Sequence, residues 1–242
     1  MSDKPKIMTV YGTRPEAIKV APVVSALQDD DRFDSVVVST GQHKEMLEQV
    51  NKRFGITPDH DMALMKPGQT LNELVARAIQ GLDPIIEEEK PDVIISQGDT
   101  STAMVAALAG FHKGVKVVHL EAGLRTGNIF SPFPEEANRK IIGQITSLHL
   151  APTNESRENL RRENFRSKDI VVTGNTVIDA LLAASEWDVQ FDDPRLEELR
   201  SSDEKLVLVT THRRENLDAM KEIGGAVQDL SLIHISEPTR PY

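Results

Sequence analysis

The sequence predicts an α/β chain of two doubly wound parallel sheets, the second incomplete. Short apolar runs rich in β-branched residues, such as 93–97 and 115–120, alternate with longer stretches of helical period. Several of these runs close on a glycine turn, at Gly12, Gly41, Gly98 and Gly174. The alternation resumes after a polar segment at 188–193 that reads as a connection between domains.

The first strand is residues 6–11, and Gly12 is the turn that releases the chain into a helix from about Ala17. At this place in a doubly wound sheet a helix N-terminus can receive phosphate. Arg14 and Lys19 supply charge there, the one a planar fork and the other a mobile point charge. Both read equally as anion-binding groups or as solvated helix-start charges. Residues 35–40 form the second strand, and Gly41-Gln42-His43 leads into an amphipathic helix reaching about Phe54. Gln42 and His43 either line a site or sit in a solvated loop. Thr70 and Glu73 have the spacing of a capping box. The long helix they open repeats Leu71, Leu74, Ile79, Leu82 and Ile86 on one face.

Residues 93–97 form an apolar strand that Gly98-Asp99 closes, placing a carboxylate at its carboxyl end. A small-residue helix follows at 102–112, then the strand 115–120. Glu121 comes where that strand ends and the chain turns through Ala122-Gly123. Ligands of open α/β sheets bind outside the carboxyl ends of the strands, so Asp99 and Glu121 face the crevice. Pro134 then marks a first helical turn, with Glu135 and Arg139 four apart on one face, the spacing of a helix salt bridge. Strands at 148–151 and 170–173 and helices at 154–163 and 177–185 complete the first half. In the second half, 206–210 is a strand and 220–230 most of a helix. His212 and Arg213 lie just past that strand, a place where a histidine is either packed or functional. Asp192 and Asp193 sit in the connecting segment as solvated charges.

Composition narrows the function. With 38 acidic against 28 basic residues the net charge is -10, which excludes a nucleic-acid footprint. An anionic substrate must be held by local basic groups and backbone amides. There is no cysteine, hence no disulfide framework and no thiolate chemistry. No run approaches transmembrane length and no apolar leader opens the chain, so no membrane association is expected and a cytoplasmic location is. The acids are not set at metal-ligand spacing, so neither a metal nor another cofactor is expected.

The motifs carry a resemblance. Gly12-Thr13-Arg14-Pro15-Glu16-Ala17-Ile18-Lys19 is followed by Gln97-Gly98-Asp99-Thr100 and by His119-Leu120-Glu121-Ala122-Gly123-Leu124-Arg125-Thr126-Gly127. Pro134-Glu135-Glu136-Ala137-Asn138-Arg139, Gly174-Asn175-Thr176-Val177-Ile178-Asp179 and Thr211-His212-Arg213-Arg214-Glu215-Asn216 complete the series. In this order they closely resemble the non-hydrolysing UDP-N-acetylglucosamine 2-epimerases, up to about residue 230.

The resemblance implies a glycosyltransferase-B architecture of two Rossmann-like domains with substrate in the cleft between them. It implies interconversion of UDP-GlcNAc and UDP-ManNAc by elimination and re-addition of UDP, supplying ManNAc units for bacterial surface polysaccharide. Asp99, Glu121 and Glu135 are then the acid–base candidates, with His212 assisting near the diphosphate. Arg14, Lys19, Arg139 and Arg213 are the substrate-binding candidates, and Gln42 and His43 belong to a possible regulatory substrate site. A homodimer is implied for the complete protein. A hydrolysing epimerase, another nucleotide-sugar enzyme of the same fold, or an inactive fragment are the alternatives. The expected domains are 1–186, carrying most catalytic residues, and 187–230, a linker and the start of a nucleotide-binding domain. Family members continue further, whereas 231–242 show no helical period or strand alternation and resemble translated adapter sequence. That stretch is expected to be a non-native tail.

Overall fold

The computed structural model describes residues 4–41, 44–203, 209 and 220–236 of the 242. The chain divides into two units, Met1–Trp187 and Asp188–Tyr242. In the first unit, strands β1 (Lys6–Tyr11), β2 (Asp34–Ser39), β3 (His60–Asp61), β4 (Val93–Gln97), β5 (Lys116–Leu120), β6 (Leu148–Ala151) and β7 (Ile170–Val172) form one sheet. All pairings in it are parallel and the order is β3-β2-β1-β4-β5-β6-β7. The order reverses between β1 and β4, the arrangement expected from the sequence.

The central strands β1, β2 and β4 bury both of their faces, because the crossover helices cover both sides of a parallel sheet, whereas Val171 and Val172 of the edge strand β7 are exposed. In β1, Met8 and Val10 join a core with Leu74, Leu82 and Ile86 of the helix Leu71–Glu89 and with Val105 of the helix Ser101–His112. Ile7 and Tyr11 point the other way, into a core with Ala17, Val20 and Val24 of the helix Arg14–Gln28. In chain order these helices are α1 (Arg14–Gln28), α2 (Lys44–Phe54), α3 (Leu71–Glu89), α4 (Ser101–His112), α5 (Glu135–Ile145), α6 (Asn154–Arg162) and α7 (Thr176–Ser185).

Their starts are written locally. Thr13 and Thr70 close capping boxes with Glu16 and Glu73, and Thr100, Thr153 and Asn175 cap α4, α6 and α7 through their side chains. Within α3, Ala78 rather than Ile79 sits fully buried between Leu74 and Leu82, and Leu71 is exposed. The helix packs on its 74–78–82–86 stripe.

In the second unit the described residues form two helices, α8 (Pro194–Ser201) and α9 (Met220–Ser236). The sequence reading has no helix at α8. Pro194 is its first residue, not a boundary after a linker, and Asp193 caps it by accepting from the Arg195 amide. Asp193 also pairs with the Arg195 side chain, 2.7 Å from Nη2. α9 runs to Ser236, so the expected irregular stretch after 230 is helical for its first turn and a half. Among the described residues no helix is long and apolar enough to cross a membrane.

His119 of β5 and His149 of β6 are register partners, and both are buried. Nε2 of His119 lies 2.7 Å from the Gly98 carbonyl, which can only accept, so that nitrogen carries the proton. Burial pushes both imidazoles down from 6.5 to about 4. The unfolded chain therefore takes up protons below pH 6.5 that the native histidines refuse, and stability is lost as pH falls from 6.5 towards 4. A His149→Phe chain should show a shallower fall of unfolding free energy across that window, by the equivalent of about one proton. Equal slopes in pH-dependent urea unfolding would show that His149 titrates normally.

Candidate functional site

At the topological switch point the chain leaves β1 through Gly12. A Cβ there would collide with the hydroxyls of Thr40 and Thr102, which lie 3.2 Å apart from each other. Only glycine fits, and the tight turn brings Thr13 to cap α1. Glu16, 2% exposed, reaches back so that one carboxylate oxygen accepts from the amides of Gly12 at 3.0 Å and Thr13 at 2.7 Å. Its other oxygen accepts from the Thr100 hydroxyl at 2.5 Å, tying the turn after β1 to the turn after β4. Burial pushes the Glu16 carboxyl upwards, and these hydrogen bonds offset only part of that. Ahead of α1, Glu16 thus takes the amides of Gly12 and of the cap residue Thr13. Within the first turn the Glu16 amide goes to the Thr13 hydroxyl and Pro15 has none, which narrows the anion site that the position suggested.

Lys19 lies one helical turn beyond Glu16, and its Nζ is 2.5 Å from Oε2 of Glu121. The same oxygen accepts from Nε2 of the buried Gln97 at 2.7 Å. Glu121 ends β5 with φ +67°, a left-handed conformation costing a non-glycine residue about 1–2 kcal/mol. That turn swings its side chain from the sheet towards α1. Among the described residues nothing bonds its Oε1.

Asp99 ends β4. Its backbone is held on both sides, since the Gly98 carbonyl accepts from His119 at 2.7 Å and the Asp99 carbonyl accepts from Nδ2 of Asn138 at 2.8 Å. Its Oδ2 accepts from both Nε (2.8 Å) and Nη2 (2.5 Å) of Arg139. The remaining edge of that guanidinium, Nη1, lies 2.9 Å from Oε2 of Glu136. Glu136 is fully buried, and its other oxygen accepts from the Gly127 amide at 3.2 Å. Burial opposes its ionisation, but Arg139 and the amides outweigh that and hold the carboxyl below the usual range.

The segment between β5 and α5 is pinned at several points. Gly123 has φ +90°, and a Cβ on it would strike the Ser156 carbonyl oxygen of α6. Arg125 forks onto Glu163 at 2.9 and 2.8 Å, and Lys140 joins the same carboxylate at 2.9 Å. The Arg125 hydrogen bond foremost, against the effect of burial, holds Glu163 at about 2. The peptide bonds Ser131–Pro132 and Phe133–Pro134 are cis, and Phe130 and Phe133 are exposed. A groove of about 980 Å³ lies at the opposite, amino-terminal edge of the sheet, lined by Lys90, Pro91, Lys113 and Lys116, away from these acids.

A family model described as UDP-N-acetylglucosamine 2-epimerase matches residues 25–235. The chain belongs to that family. The UDP-N-acetylglucosamine 2-epimerase of Escherichia coli K12 is 48% identical over 95% of this chain and 62% of that protein. The crystal structure of the Neisseria meningitidis UDP-GlcNAc 2-epimerase bound to UDP-GlcNAc is 42% identical, with a TM-score of 0.82 over 93% of this chain and 62% of that one. The Methanocaldococcus jannaschii UDP-GlcNAc 2-epimerase in complex with UDP-GlcNAc and UDP is 30% identical, with a TM-score of 0.74 over 95% and 63%. The chain thus spans a little under two thirds of the length of these epimerases.

In this epimerase-family chain the sequence-predicted residues divide into three groups. Lys19 with Glu121, and Asp99 with Arg139, are brought together as ion pairs at neighbouring strand ends. Arg14 is exposed at the start of α1, and Glu135 is half-buried at the start of α5; among the described residues neither has a hydrogen-bond or ion-pair partner. His212, Arg213, Gln42 and His43 lie outside the described residues.

The Glu135–Arg139 bridge that the helical spacing allows is not formed. Arg139, only 13% exposed, turns inward to Asp99 and to Glu136, the buried member of the Glu135-Glu136 pair. Sequence reading missed the parts played by Glu16, Gln97 and Glu136. Of these, only Glu16 carried a local signal, the capping-box spacing from Thr13.

Gly123→Ala combines a positive φ with a collision against backbone, so a loss of about 3 kcal/mol is expected in urea unfolding. A loss below about 1 kcal/mol would mean that α6 yields to the side chain.

Proposed function

We propose that this protein interconverts UDP-N-acetylglucosamine and UDP-N-acetylmannosamine by eliminating and re-adding UDP. One observation carries the reading. Two carboxylates at adjacent strand ends each have one oxygen tied to a cation and the other uncommitted, in a family whose Neisseria member was solved bound to UDP-GlcNAc. A base takes the C2 proton as the C1–O bond breaks, leaving a C1=C2 double bond in the sugar and UDP as an anion. UDP then returns to C1, and a proton is delivered to C2 on the opposite face. The C2 proton is not acidic, so departure of the diphosphate needs electrostatic help.

Inversion requires acids on both faces of the ring, and Asp99, Glu121 and Glu135 are the proposed set. Glu135 is the least constrained of them, since neither Arg139 nor any other described residue pairs with it. His212, Arg213 and Arg14 are assigned to the nucleotide side. Lys19 is assigned to holding Glu121 in place, which the 2.5 Å contact supports. Residues 1–186 are taken as the half bearing the acids and 187–230 as the opening of a nucleotide-binding half. Gln42 and His43 remain candidates for a regulatory substrate site. A cytoplasmic location, a homodimer and a supply of ManNAc units for surface polysaccharide belong to the same proposal.

The test is incubation with UDP-GlcNAc in D2O, followed by proton NMR. UDP-ManNAc carrying deuterium at C2 is expected. Glu121→Gln keeps the shape and removes the base, and should lower turnover about 100-fold or more. Wild-type turnover in that variant would remove Glu121 from the mechanism, and absence of C2 exchange in the unsubstituted protein would remove the epimerase reading.

A further inference from the structure

Glu136 has no place in the acid–base scheme, yet it is a fully buried carboxylate beside the site. Burying such a group is costly unless it is well paired. Its two oxygens are spent on Nη1 of Arg139 at 2.9 Å and on the Gly127 amide at 3.2 Å. Arg139 in turn gives its other edge, Nε and Nη2, to a single oxygen of Asp99. A single acceptor atom does not fix a guanidinium plane, because the fork can pivot about it. Two carboxylates on different edges of the same plane do fix it, since any pivot that keeps one contact breaks the other.

We infer that Glu136 is a positioning residue: through Arg139 it sets the orientation of the Asp99 carboxylate and so the direction in which the free Oδ1 is presented to the sugar. The functional part of this inference rests on the epimerase reading above; the geometric part does not. The Asp99 backbone is held independently, by His119 through the Gly98 carbonyl and by Asn138 through the Asp99 carbonyl. Glu136 therefore governs the side chain, not the turn. It also joins the turn at Gly127 to this chain of contacts, so the β5–α5 segment and Asp99 share one anchor.

Two measurements test it. In the 242-residue chain, the Arg139 Nε–H resonance is identified by its loss in Arg139→Lys. Bonded to Asp99, it should exchange slowly with solvent. Glu136→Gln preserves shape and removes the charge, and should speed that exchange at least about ten-fold. Unchanged exchange would overturn the inference. Glu136→Asp, which draws the charge back by one methylene, is the second variant should Glu136→Gln fail to fold, and the same acceleration is expected.

In turnover, Glu136→Gln should lower kcat about ten-fold with KM for UDP-GlcNAc within about two-fold. A residue acting through Arg139 adds nothing once Arg139 is gone, so Glu136→Gln in an Arg139→Lys background should lower kcat no further. Losses that multiply would show that Glu136 acts by another route. Faster Nε–H exchange in a protein that does not turn over UDP-GlcNAc would leave the positioning intact and remove only the epimerase reading.

Discussion

Acids gathered at the carboxyl ends of neighbouring strands repel one another, and the site exists because each is bound to a cation from a helix of the same unit. Lys19 of α1 holds Glu121, and Arg139 of α5 holds Asp99. These are partly buried contacts, less screened than a surface ion pair and short enough to order both partners. Both cations come from crossover helices that the sheet topology places over its carboxyl edge. The reversal of strand order between β1 and β4 is thus the constraint from which the rest follows.

The pairing also divides labour among atoms. Each carboxylate commits one oxygen to its cation and leaves the other open. Around them the backbone is heavily specified. Gly12 fits only without a side chain, Glu16 bridges the turns after β1 and β4, and Glu121 accepts a left-handed conformation to reach Lys19. Strain and buried charge of this kind persist only where surrounding contacts over-determine them. On the proposed reaction, which needs acids on two faces of one sugar ring, acids whose positions do not drift are an advantage.

The strands were legible because a doubly covered parallel strand is apolar throughout, and β1, β4 and β6 have the ends that their apolar runs predict. β3, two residues long, carries too little pattern to be seen, and α8 was hidden because Pro194 serves as a first helical residue as well as a stop. Strand-end position was enough to select Asp99 and Glu121. It was not enough for Arg139, whose partners Asp99 and Glu136 no sequence spacing singles out. Helical spacing makes Glu135 and Glu136 both neighbours of Arg139, and it is Glu136 that is buried, bonded to the Gly127 amide and to Arg139. The burial of Glu16 and Glu136 went unread, because nothing local in a sequence reports that a carboxylate is enclosed by tertiary packing, even where a capping-box spacing marks the residue as at Glu16.

The most direct test of the account is an isotope exchange in UDP-GlcNAc labelled with ¹⁸O at the oxygen joining C1 to the β-phosphate. Departure of UDP, rotation of its terminal phosphate and return let that oxygen exchange places with the two non-bridging oxygens of the β-phosphate, so scrambling of the label in recovered substrate is predicted. Inversion at C2 with the label still wholly in the bridge would mean that the C1–O bond never breaks. The acids at these strand ends would then be serving a different reaction.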